Sequence, residues 1–108
     1  MKTKEEILDF LEKNNCNQEL INDVKNGDGY NWIALCYENF GVKFTELVLQ
    51  QKQAKSGWGA WYIALSYVEN GVKFTELALQ QEKAKDGFYV GFNVYCIANK
   101  MFNESKKD

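Results

Sequence analysis

The chain has 108 residues with 13 basic and 15 acidic side chains, a net charge of −2; every basic residue is Lys, and His, Arg and Pro are absent. That length suits one domain around one core, and an apolar content of 45% argues against disorder. Without His there is no Ser-His-Asp or Cys-His pair and no mixed Cys/His zinc site. Without Arg there is no bidentate phosphate fork, and Lys scattered through an acidic chain makes no basic stripe.

The first helix is predicted from Thr3-Lys4-Glu5-Glu6, a capping box, followed by the apolar stripe Ile7, Leu8, Leu11. A second short helix spans Gln18 to Asn26 and closes at Gly27. The charged start of the chain has no apolar run behind it, so no signal peptide is expected, and no apolar run reaches the ~18 residues of a membrane span. Cys16, Cys36 and Cys96 are odd in number and form no CxxC pair, which points to reduced thiols in a cytoplasmic setting.

The dominant signal is an internal repeat. Residues 25–54 and 55–84 align without a gap and are identical at 18 of 30 positions; Gly41 to Leu47 recurs unchanged as Gly71 to Leu77. A third copy starts at Lys85-Asp86-Gly87 and then decays. A fixed period of this size marks stacked units. Each unit reads as two helices. In the second, Phe44, Leu47, Val48, Gln51 and Ala54 follow helical spacing, with Thr45 as N-cap, Phe44 and Leu49 as a hydrophobic staple, and Gly57 as the left-handed stop. Phe74 to Gly87 repeats these features. The first helix of copy two carries the stripe Trp58, Trp61, Tyr62, Leu65 and stops at Gly71. A strand through this aromatic segment is the lesser alternative.

Phe88, Phe92, Tyr95, Cys96 and Phe102 mark a closing helix, and residues 104–108 a polar, frayed tail. The expected fold is therefore all-α: a single domain of stacked helical hairpins with a 30-residue period, α-solenoid-like. It comprises an imperfect hairpin over 1–26, repeats over 27–56 and 57–86, and a closing helix over 87–103. In kind this is similar to tetratricopeptide solenoids, whose period is longer and whose Trp-Leu-Gly-Tyr spacing and terminal Pro are missing here; no family follows.

The motifs that carry chemistry fail on inspection. Asn26-Gly27-Asp28-Gly29 has the look of a calcium loop, but Val24 and Leu35 would fall where oxygen ligands are needed. Gly27-x-Gly29 and Gly57-x-Gly59 lack the third Gly and the Lys of a phosphate loop. The cysteines read as small core residues, and Glu46 and Glu76 as first-turn helix charges. No catalytic residue, metal or cofactor is expected.

The differences between copies say more. Nine of the 12 unlike positions lie between 26 and 40, in the first helix and the turn before it. The face through Asp28, Asn31, Leu35 and Glu38 becomes Trp58, Trp61, Leu65 and Val68 in copy two. Either copy two buries this face beneath the closing helix, or the face is an aromatic anchor for a partner. The candidate partner-binding residues are Trp58, Trp61, Tyr30, Asp28, Asn31 and Glu38.

The function expected on these grounds is a non-catalytic, protein-binding helical-repeat module, such as a small inhibitor of a host or rival protein with an anti-CRISPR-like or immunity role. The alternative is a nucleic-acid binder in which Lys25, Lys43, Lys55, Lys73 and Lys85 line one groove beside stacking aromatics. No membrane partner is expected.

Overall fold

The capping box at the start of the chain forms as expected. Thr3 Oγ1 accepts from the Glu6 N–H and Glu6 Oε1 accepts from the Thr3 N–H, both at 3.1 Å, so two orphan donors of helix α1 (Lys4–Lys13) are satisfied reciprocally. These features belong to a computed structural model that describes residues 2–85, 87 and 89–107; Phe88, expected in the closing helix, lies outside the described residues. Helix α2 (Gln18–Asn26) is capped by Asn17, whose side chain accepts from the Glu19 N–H at 2.9 Å. Then follow α3 (Gly29–Phe40), α4 (Val42–Leu49), α5 (Gly57–Asn70), α6 (Val72–Leu79), a 3-10 turn at Glu82–Ala84, and α7 (Val90–Ser105). The fold is all-α, and no strand occurs among the described residues. The Cα radius of gyration of 13.5 Å is that of a compact single domain of this length.

Helices α4 and α6 span matching positions, and α3 and α5 end at matching positions, but α5 begins two residues earlier than α3 would place it. Gly41 (φ +84°) and Gly71 (φ +89°) each end one helix and begin the next, a one-residue corner that a side chain would strain. This corner corrects the expected N-cap. Because the chain turns at Gly41 and Gly71, the helices start at Val42 and Val72, and Thr45 and Thr75 become buried residues of the second turn. Glu46 and Glu76 accordingly lie beyond the first turn. Phe44 and Leu49 are not a staple, since both sit inside α4. Phe44 instead packs edge-on against Tyr67 of the next unit at 5.3 Å, and its counterpart Phe74 packs against Phe102 of α7 at 6.1 Å.

Helices α4 and α6 end at Leu49 and Leu79, short of the expected glycine stops. The chain after Leu49 folds back and buries Ala54 completely, which carries Gly57 to the side of α3. Gly57 has no positive φ; it opens α5, and Ser56 caps that helix by accepting from the Gly59 N–H at 2.9 Å. The reason for glycine here is close approach. A Cβ on Gly57 would overlap the Gly29 backbone, and a Cβ on Gly91 would overlap the Gly59 backbone. One helix start thus offers Gly57 to α3 and Gly59 to α7.

In the third copy the register shifts. Gly87, the counterpart of Gly57, takes φ +100° ahead of the helix, and Gly91 makes the close contact instead. Helix α7 also runs on to Ser105, so residues expected in a frayed tail are helical. The core is filled by Ile7, Leu11, Leu20, Val24, Ile33, Leu49, Ile63 and Val94, with Ala60 and Ala64 where α5 lies between α3 and α7. Cys36 is part of it, and burial pushes its thiol up to about 12. Cys16 is half-buried. Cys96 is not the expected core residue; it is exposed on α7.

Candidate functional site

Because α3, α5 and α7 lie side by side at glycine contacts, one face of each contributes to a common surface. On that surface the aromatic side chains touch in sequence. Trp32 of α3 meets Trp61 of α5 at 5.6 Å between ring centroids, and Trp61 meets Tyr62 at 5.3 Å. Tyr62 packs edge-on against Trp58 at 4.7 Å and against Phe92 of α7 at 5.1 Å. Trp58 in turn stacks with Phe92 at 6.0 Å and meets Tyr89 at 5.9 Å. Tyr95 completes the set beside Tyr62 at 5.7 Å, and its hydroxyl donates to Glu69 Oε1 at 2.6 Å, which pushes the phenol up to about 12.

This ridge is neither core nor loose surface. Trp32, Trp58, Trp61 and Tyr62 are half-buried, while Tyr89 and Phe92 are 58% and 38% exposed. Edge-to-face pairs of this kind hold large rings rigidly with part of each ring still in water. Tyr89, Phe92 and Tyr95 pack on Trp58 and Tyr62 of α5 and leave these two rings half-buried. Trp61 packs against the core and its indole N–H is buried without an acceptor; Trp58 stands at the ridge, toward the starts of the three helices.

At that end the ridge opens into a pocket of about 400 Å³. It is lined by Trp32, Trp58 and Tyr89, by Gly27, Gly29 and Ser56, and by the carboxylates Asp23 and Asp28. Asp23 Oδ2 accepts from the Gly57 N–H at 2.8 Å. Asp28 directly precedes α3 but makes no capping bond with its side chain.

The structure brings three of the sequence-derived candidates together: Trp58 and Asp28 line the pocket, and Trp61 joins them through Tyr62. Asn31 is exposed on α3. Tyr30 turns away from this surface and packs on the core. Glu38 lies toward the other end of α3, in a separate pocket of about 480 Å³ with Lys2, Glu6, Tyr37 and Val42. Trp32, Tyr62, Tyr89, Phe92 and Tyr95 belong to the ridge without having been singled out as contacts. The i, i+3 spacing of Tyr89, Phe92 and Tyr95 was the available signal, but it does not say which helix lies alongside.

The five repeat lysines divide between two ends of the molecule. Lys25, Lys55 and Lys85 lie where α3, α5 and α7 begin. Lys43 and Lys73 follow α3 and α5, which are 12 and 14 residues long, or roughly 18–21 Å. Lys25 and Lys85 pair with Glu12 and Glu82, each at 3.4 Å. Among the described residues nothing basic lines the pocket at the ridge. Among the described residues no group of three or more His, Cys, Asp or Glu could hold a metal ion, and no helix is long and apolar enough to cross a membrane.

In comparisons with protein-family models, with curated proteins and with solved structures, nothing matches this chain.

Proposed function

We propose that the chain is a non-catalytic protein-binding module and that the ridge across α3, α5 and α7 is its contact surface. The carrying observation is the continuous chain of half-exposed rings from Trp32 to Phe92. Rigid aromatic side chains supply contact area at low entropic cost and dominate interface hot spots. An inhibitor of the kind expected from the sequence would act by covering its target with this face. The nucleic-acid alternative gains no support from the charge distribution: the lysines sit in two separate groups, and carboxylates flank the rings where a phosphate would approach.

The test compares capture by the wild type, by Trp58→Ala and Phe92→Ala, and by a control pair on α4 and α6, Leu47→Ser and Leu77→Ser, whose leucines are also exposed. Helicity is checked for every variant. Ridge variants should lose roughly 2 kcal/mol of affinity for whatever the wild type retains, and the control pair should lose little. Equal retention by ridge and control variants would overturn the assignment.

A further inference from the structure

From the pocket at the end of the ridge we infer the chemistry of one contact: it takes an arginine side chain presented by the partner protein. This rests on the ridge being the contact surface and names what the partner places at its end. Three aromatic side chains, Trp32 of α3, Trp58 of α5 and Tyr89 of the turn before α7, line a space of about 400 Å³. Gly27 and Gly29 contribute only backbone there, and Asp23 packs so closely against Gly29 that a Cβ would not fit.

The charge at this pocket selects the ligand. Among the described residues, Asp23 and Asp28 are the carboxylates that line it together with the rings. The starts of α3, α5 and α7 also lie here, and each is equivalent to about half a positive charge. Of the two carboxylates, Asp23 already answers the start of α5 through the Gly57 N–H, with Lys55 in the adjoining cleft. Asp28, without a capping bond to its own helix, is left to face the pocket. Aromatic faces with a carboxylate beside them attract a cation, and a guanidinium, planar and weakly hydrated, stacks on such faces better than an ammonium. These 108 residues contain no Arg, so a second copy of them has no guanidinium to fill the pocket.

The probes are Nα-acetyl-arginine amide and its neutral isostere Nα-acetyl-citrulline amide, titrated into the intact chain. The readout is the indole N–H resonances of Trp32 and Trp58, with Trp61 as the internal reference. The arginine probe should shift the first two saturably and bind about tenfold more tightly than citrulline. Asp28→Asn, an exposed change, should remove most of that preference while leaving helicity intact. Equal binding of the two probes, or an unchanged preference in Asp28→Asn, overturns the arginine assignment. The ridge reading fails by a different measurement, since it is judged by partner capture in the Trp58→Ala and Phe92→Ala variants. Capture that depends on the ridge, combined with no arginine preference, would overturn this inference alone.

Discussion

Ser66 Oγ and Thr75 Oγ1 lie 2.7 Å apart in the interior, and the equivalent pair 30 residues earlier is Cys36 and Thr45, where Thr45 Oγ1 has no hydrogen-bond partner. Copy two joins its helices through a satisfied polar contact, to which the Asn70 side chain also donates at 3.2 Å. Copy one has an orphan hydroxyl at the same place because sulfur has replaced oxygen. Removing one partner of a buried pair costs about 1–3 kcal/mol, whereas supplying a missing one recovers part of that cost. Ser66→Ala is therefore expected to lower the unfolding free energy by this amount, read as a lower denaturation midpoint. Cys36→Ser should be neutral or stabilising by up to about 1 kcal/mol. A strongly destabilised Cys36→Ser protein would contradict the pairing.

The glycines separate into two classes with different mutational costs. At Gly87 a Cβ meets open space, so Gly87→Ala suffers only from its positive φ, about 1–2 kcal/mol. At Gly57 and Gly91 a Cβ overlaps the backbone of the neighbouring helix, and backbone cannot move aside as a flexible side chain can. Gly57→Ala and Gly91→Ala should cost more, roughly 3 kcal/mol, and should also change tryptophan emission as the helices separate. Urea titration of the three variants checks the order.

The two tryptophans of α5 should differ in the same way. Trp61→Ala removes a ring packed on the core and is expected to cost about 3 kcal/mol or more. Trp58→Ala loses three partly solvated ring contacts and should cost about 1–2 kcal/mol. The reverse order in thermal or chemical denaturation would show that Trp58 is the core residue.

Alkali should unfold the protein progressively. Burial holds the Cys36 thiol up at about 12 against an ordinary 9.0, and the bond to Glu69 holds the Tyr95 phenol at about 12 against 10.0. Burial, with Glu46 nearby, raises Tyr37 as well. The unfolded chain releases these protons at lower pH than the folded chain does. Stability from these groups is thus fully present below about pH 9 and falls as the pH rises toward about 12. Denaturant midpoints across that window should decline. Glu69→Gln should return the Tyr95 titration, followed by ultraviolet absorbance, toward its ordinary range.

The sequence by itself determined the all-helical class of the fold. Thr3 and Glu6 fix the first helix through bonds within one turn, and the recurring Gly41-to-Leu47 segment makes the same corner twice because the same residues meet the same local sterics. These are short-range effects, and they are written in neighbouring residues. What the sequence left open lies between helices. The spacing around Gly57 and Gly87 suggested helix stops; the tertiary structure uses Gly57 as a contact with Gly29, and gives the corresponding contact with Gly59 to Gly91. The stripe Trp58, Trp61, Tyr62 was visible, yet its meaning depended on where the closing helix fell. Helix α7 packs against α5 where backbone meets backbone at Gly59 and Gly91. That contact aligns Tyr89 and Phe92 with Trp58 and leaves all three rings partly in water. Packing between segments far apart in the chain therefore decided that the aromatic face is a half-buried ridge and that a carboxylate-lined pocket opens at its end.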